Sequence, residues 1–316
     1  MFENTRSQLI SLVNEQVCPG VSMGFIDHGK METEYLGAKS WLTTYRPIDQ
    51  ESFHDLASLT KVMVTVPMIK KLVEEGKLSY SDPINKYLPE FKGDRVQVIH
   101  LLTHTSGIKG YIPDRDSLNG EELVKALLKL PVTADFNKKV VYTDTGMIFL
   151  GLIIERIIGG NFQEIVQTEI LDNWGLHQTT FNPDPQICVP TYKLNGDYMQ
   201  GIPNDPKARQ LGVHCGSAGL FATLNDVMKF AEIMLENKDY YQNLTELNPG
   251  RSYGWNILTE DGNILFHTGY TGHFIELNYE KQRAMVVLTN RVHPLENNQK
   301  FLIRRQIIRD SFMNEK

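Results

Sequence analysis

Cysteine is scarce in this chain. Its three cysteines, Cys18, Cys188 and Cys215, are scattered and odd in number, which argues against a disulfide framework and fits a reducing compartment. Long apolar runs are missing too. The longest, "MIFLGLIIERII" (147–158), is short for a bilayer and carries Glu155 and Arg156, so it reads as a core helix. No block of positive charge stands out. Net charge is −6, and the densest basic patch, "RRQIIR" (304–309), falls in a helical pattern; it reads as a solvated face, and no nucleic-acid partner is expected. The N-terminus, "MFENTRSQLISLVNEQV", lacks a charged start, a continuous apolar block and a small-residue cleavage site. It reads as an amphipathic helix, and a cytoplasmic location is expected. Internal repeats and low-complexity tracts are also lacking.

What is present is an ordinary globular composition, 41% hydrophobic and 22% charged over 316 residues, enough for one large domain or two intimately packed ones. Strand patterns sit at the two ends. "GVSMGFID" and "METEYLGA" flank the turn 28–30; "SYGWNILT" and "NILFHTG" flank Asp261-Gly262; "HFIELNY" and "RAMVVLTN" flank 280–282. These read as antiparallel hairpins. Helical spacing marks 58–75, 98–103, 120–130, 144–158, 161–170, 224–236 and 297–312. The expected architecture is α/β (α+β): an antiparallel sheet built from both termini (1–57 and 237–316) and flanked by helices, with a mainly helical insertion (58–236). The crevice between them is the default ligand site.

Within "ASLTKVMVTVPMIKKLVEEG" (57–76), Lys61 is out of place. It sits in a first helical turn, where cations are disfavoured, among apolar neighbours. Ser58 lies three residues earlier on the same face. Burial and the positive helix end both push a lysine amine toward its neutral form, which can take the proton of a serine hydroxyl. The plain alternative is an N-cap serine and a lysine that snorkels to solvent. A second such spacing, Ser106 to Lys109, falls in a loop. A kink is expected at Pro67.

Tyr142 precedes a helix that Thr143 or Asp144 can cap, and its phenol is a candidate proton relay. Tyr80-Ser81-Asp82 and Tyr241-Gln242-Asn243 share the tyrosine-x-acid/amide form. His267, Thr268 and Gly269 end a strand, where Gly269 permits a close approach; the backbone amides of Ser58 and Tyr270 are candidate oxyanion donors.

The ordered set "SLTK" (58–61), "YTD" (142–144) and "HTG" (267–269) resembles the serine β-lactamase and penicillin-binding protein family, and within it the class C β-lactamase, DD-peptidase and esterase branch. "PGVSMGFIDHGK", "GKLSYSDPINKYLPEF", "LLTHTSGI" and "GSAGLFATLNDVMKF" agree, so the resemblance covers about residues 15 to 292. It implies that Ser58 is the acylated nucleophile, that Lys61 and Tyr142 form the proton-transfer pair, and that the 267–269 strand binds substrate. It also implies an α/β domain with an antiparallel sheet plus a helical domain, and no metal or organic cofactor. Substrates would be small esters or amides, β-lactams or D-amino-acid peptides among them, with no obligate protein partner.

Two departures bear on substrate. The third motif usually begins with lysine; His267 is mostly neutral near pH 7, which suits an uncharged ester or amide or makes carboxylate binding depend on pH. Asp144 stands where asparagine is usual in class C enzymes; it either holds Lys61 charged or only caps the helix. Rival readings are weaker. A Ser-His-Asp hydrolase lacks its Gly-x-Ser-x-Gly elbow, "CGSAG" (215–219) being a near miss. A zinc hydrolase would use His100 and His104, but "HLLTH" lacks the HExxH glutamate. A non-catalytic sensor or ligand-binding protein on the same fold is the rival of another class.

Overall fold

A computed structural model of the chain describes residues 1–42, 44–237, 250–294, 296 and 298–315; Tyr241-Gln242-Asn243 lies outside them. The expected terminal strands form one six-stranded antiparallel sheet. Its strands are β1 (Gly20–Asp27), β2 (Lys30–Gly37), β6 (Asn256–Ile257), β7 (Ile264–Thr268), β8 (Phe274–Asn278) and β9 (Arg283–Thr289), in the order β2-β1-β9-β8-β7-β6. A small second sheet joins β3 (His54–Asp55), β5 (Phe221–Ala222) and β4 (Thr179–Thr180), with β5 in the middle. The β1–β2 turn uses His28 and Gly29 at φ 51° and 80°, the both-positive geometry that a two-residue hairpin favours. In the 261–262 turn only Gly262 takes positive φ.

Strand periodicity of two decides which layer each side chain enters. Val21, Met23 and Phe25 of β1, with Phe274, Met285 and Val287, face an outer layer made by α1 (Glu3–Asn14) and α9 (Gln299–Asn314), which bury Leu9, Leu12, Phe301, Ile308 and Phe312 there. Ile26, Leu265, Ile275, Leu277, Val286 and Leu288 face the other way, into a core shared with the helical part. The helical part comprises α2 (Val66–Glu74), α3 (Val98–Leu102), α4 (Gly120–Leu128), α5 (Asp144–Ile158), α6 (Phe162–Val166) and α7 (Pro206–Leu211). The following helix α8 (Leu224–Glu236) packs on β1, β8 and β9. Chain order had assigned it to the helical insertion; its apolar face covers the sheet instead, and Gly24 lets Met228 approach β1 where any Cβ would collide.

Two local features differ from sequence expectation. Strand β6 is short because the chain bends at Gly254 (φ 78°), whose N–H donates to the Leu102 carbonyl at 2.8 Å, and so buries Trp255 completely. The helix over 58–75 begins at Leu59 and widens to a π-turn across Lys61–Thr65, with Val66 N–H donating to Lys61 O, before α2 starts. Pro67 is therefore an early residue of a regular segment. The disturbance expected at Pro67 takes the form of this register change, a feature that recurs at functional sites.

The sheet edge and the serine turn are locked by a close approach. A Cβ on Gly269 would lie 2.5 Å from the Leu56 carbonyl oxygen, two residues before Ser58. The close neighbour allowed by this glycine is thus the protein's own backbone. Ala57 between them holds φ 47°, a left-handed conformation that a non-glycine residue keeps only when its surroundings impose it. Gly269→Ala should push the serine turn off the strand and lower the rate of ester hydrolysis by about tenfold or more, since displacements near 1 Å at a reacting group cost up to about a hundredfold; unchanged kinetics would show that the turn is held elsewhere.

Candidate active site

Ser58 and Lys61 meet as their spacing suggests. Lys61 Nζ donates to Ser58 Oγ at 2.7 Å, and the lysine side chain is fully buried. Snorkelling falls because Lys61 is buried, and the N-cap alternative because among the described residues no backbone N–H donates to Ser58 Oγ. Among the described residues Lys61 Nζ also donates to the Ser217 carbonyl at 2.7 Å and pairs with Asp144 Oδ1 at 2.8 Å. Three acceptors around one amine describe an ammonium with all three protons committed. Burial alone would lower the Lys61 pKa, as expected from sequence, but the Asp144 carboxylate and then the Tyr142 phenol outweigh it and raise the value above an ordinary lysine. The neutral resting amine is therefore corrected. Asp144 holds Lys61 charged, and Thr143, not Asp144, caps α5 by accepting from Thr145 N–H.

Asp144 is itself mostly buried, its side chain 20% exposed in the cavity wall. Its burial favours the acid, yet Lys61 and Lys207 hold its carboxyl far below the usual range. Tyr142 stands over this group, half exposed. Its ring centroid lies 5.4 Å from Lys61 Nζ, 5.1 Å from the Arg251 guanidinium and 4.6 Å from the His104 ring. His104 Nδ1 accepts the Thr143 N–H and its carbonyl accepts the Val141 N–H, so this histidine props the segment that presents Tyr142. His100 Nδ1 accepts the Gln97 N–H at the start of α3. Both histidines anchor backbone.

Ser58, Tyr142, His267, Thr268 and Tyr270 line one cleft of about 490 Å³; Tyr142 and Asp144 also border a second cavity of about 920 Å³. Gly269 lines neither, being packed on Leu56. Among the described residues neither the Ser58 nor the Tyr270 amide N–H has a protein acceptor, which leaves both available to an oxyanion. The Tyr270 phenol is tied away, donating to Glu296 at 2.8 Å.

His267 departs from expectation. It is buried, packed 6.2 Å from Trp255 and 6.3 Å from Tyr142, and among the described residues neither ring nitrogen has a hydrogen-bond partner. Burial, then the Lys61 and Arg251 charges, hold its pKa well below that of a free histidine. It stays neutral through the working range, so it is no pH-dependent carboxylate holder. Positive charge enters the same cleft from Arg251, which motif reading missed, and from Arg305 and Arg309 of the "RRQIIR" patch, which line the cleft where a solvated face was expected. Arg309 is paired with buried Glu276 at 3.1 Å, whereas among the described residues the hydrogen bond of Arg251 goes to the Gly254 carbonyl at 3.3 Å. Arg305 is lowered by burial and by Arg291 and Arg309 to about 10, still a cation at neutral pH. The expected weak grip on carboxylates rested on position 267 alone, and these arginines change that balance. Lys207 and the Ser217 carbonyl were missed as well. "NDPKA" does carry a helix-start signature, realised as Asp205 capping Ala208 N–H, but no local signal aims that helix at residue 144.

The family model described as Beta-lactamase matches residues 6–307. The chain belongs to the Beta-lactamase family. By that membership it is a serine hydrolase. Curated relatives from Salmonella agona (strain SL483) and Salmonella typhi, each named "Putative D-alanyl-D-alanine carboxypeptidase", are 27% identical over 78% of this chain and 71% of theirs. Among solved structures, a class C beta lactamase from Rhodobacter sphaeroides superposes with TM-score 0.76 at 19% identity, covering 98% of this chain and 99% of that one. EstCE1, a hydrolase with promiscuous acyltransferase activity, gives 0.78 at 16% identity, covering 98% and 97%. The octameric penicillin-binding protein homologue from Pyrococcus abyssi gives 0.73 at 23%, covering 96% and 77%. The mixed α/β architecture with its antiparallel sheet is therefore that of the Beta-lactamase fold.

Buried neutral His267 gives a pH prediction. Because its folded pKa is depressed, the unfolded chain takes up the proton first; the stability is whole above about pH 6.5 and is lost as pH falls below that value. Urea titrations at pH 7.5 and pH 5 should show His267→Gln losing less stability on acidification than the parent, by at most about 1.4 kcal/mol per pH unit. Parallel losses would mean that the imidazole already carries its proton in the fold.

Proposed function

We propose that this chain hydrolyses small esters or amides through an acyl-enzyme on Ser58, and that its preferred substrates carry an anionic group. The observation that carries the reading is the 2.7 Å contact from fully buried Lys61 Nζ to Ser58 Oγ. Ser58 Oγ attacks the substrate carbonyl and forms the new C–O bond. Its proton passes to the Lys61–Tyr142 pair. The oxyanion sits against the Ser58 and Tyr270 amides. As the bond to the leaving group breaks, the pair returns that proton to the departing oxygen or nitrogen. Water then attacks the acyl carbonyl, gives its proton to the pair, and the pair restores the Ser58 hydroxyl. Since Lys61 is an ammonium at rest, the pair accepts a proton only after releasing one, and the phenol is the member open to solvent.

The strand residues His267 and Thr268 lie alongside the acyl group, and Arg251 with Arg305 receives a carboxylate. D-alanyl peptides and β-lactams bear such a carboxylate, and so do monoesters of dicarboxylic acids. Arginine suits this task because its planar fork matches a carboxylate's two oxygens.

Intact-mass analysis after exposure to a penicillin or a p-nitrophenyl ester should show one acyl adduct on the parent and none on Ser58→Ala; an adduct that persists on Ser58→Ala refutes the nucleophile. Turnover of a p-nitrophenyl succinyl monoester should exceed that of the neutral butyrate, and Arg251→Met should cut this preference by about tenfold, the scale of one charge-assisted hydrogen bond. A parent that turns over the two esters equally removes the anionic substrate, and a parental preference unchanged in Arg251→Met removes the role given to Arg251. A lasting adduct with no turnover favours the sensor reading.

A further inference from the structure

Asp144 introduces a negative charge into the centre of the site, and the structure balances it. Its two oxygens are divided between two lysines: Oδ1 lies 2.8 Å from Lys61 Nζ and Oδ2 lies 2.8 Å from Lys207 Nζ. Lys207 comes from α7, far along the chain. Pro206 starts that helix, Asp205 caps it, and Asp205 Oδ2 sits 3.9 Å from Nζ. The side chain is 18% exposed, so its ammonium lies in the wall of the larger cavity beside Tyr142 and Asp144.

We propose that Lys207 is a positioning residue for proton transfer: its ammonium cancels the charge that Asp144 adds to the Lys61–Tyr142 pair and takes half of the carboxylate that would otherwise clamp Lys61. This rests on the reading of Ser58, Lys61 and Tyr142 given above. The reasoning is a charge count. Fully protonated, the pair carries +1; with Asp144 at −1 and Lys207 at +1 the cluster totals +1. After the pair releases the proton it must lose before it can act as a base, the total is zero. Without Lys207 the same release takes the cluster from zero to −1 inside a poorly solvated site, which is disfavoured. The other charged or titratable groups facing the pair are Arg251, His104 and His267; those facing Lys207 are Asp144, Asp205 and Arg115. Apart from Asp144 itself, none of them changes in the comparison below.

A four-cornered mutant cycle tests this, with acylation by p-nitrophenyl butyrate followed from pH 5 to 10. The ascending limb reports the coupled cluster and not one residue. Lys207→Met should move that limb upward by about one pH unit, with roughly tenfold lower kcat/KM at pH 7. Asp144→Asn should move it downward. Asp144→Asn combined with Lys207→Met, which removes both added charges, should return the limb to within about a third of a unit of the parent. Lys207→Arg should keep the parental profile. A merely structural lysine gives the opposite pattern: the double variant is no better than Lys207→Met, and the limb does not move. That result overturns the inference. If Lys207→Met is too unstable to assay, Asp144→Asn and the double variant carry the test, since the first must titrate below the second. Ser58→Ala and Tyr142→Phe separate the two levels. Parental acylation by either one defeats the underlying mechanism, whereas their inactivity beside an unresponsive Lys207 removes only the role given to Lys207.

Discussion

The site is organised around one buried ammonium. Lys61 is fully buried, so each of its three protons must find an acceptor, and an unmatched one would cost several kcal/mol. Those acceptors come from three places: Ser58 in the turn before its own helix, Asp144 at the start of α5, and the Ser217 carbonyl in the loop before β5. Each acceptor fixes the segment that supplies it. The helix start, the Tyr142 segment and the 215–219 loop are thereby pulled to a common point. The π-turn at Lys61–Thr65 and the close fit of Gly269 against Leu56 are the backbone accommodations that let this happen.

A charge buried in this way spreads its consequences outward. Asp144 neutralises Lys61, Lys207 takes the other carboxylate oxygen, and His267, crowded by Lys61 and Arg251, is held without charge. The cleft keeps a positive character, but the cations sit on Arg251, Arg305 and Arg309.

Much of this was legible beforehand. Helices α5 and α8 fall on the expected boundaries because cap residues and apolar spacing agree there, and β1, β7, β8 and β9 are found because apolar runs, buried on both faces, are bounded by turn residues. The short β6 was not legible, since Gly254 bends the chain only when Leu102 is present to accept its N–H. Among site residues, Ser58, Lys61 and Tyr142 carry motif signals. Lys207, Arg251 and the Ser217 carbonyl carry none, because each acts through a partner far away in sequence.

The sequence by itself determined the family, the sheet drawn from both termini, and the meeting of Ser58 with Lys61, since spacing of three on a helix puts two side chains on one face whatever surrounds them. Tertiary structure alone decided the charges. Whether Lys61 is ammonium or amine, whether His267 is cation or neutral ring, and which oxygen Asp144 gives to which lysine all depend on burial and on neighbours far away in sequence. Protonation follows the local field, and that field exists only after the chain has folded.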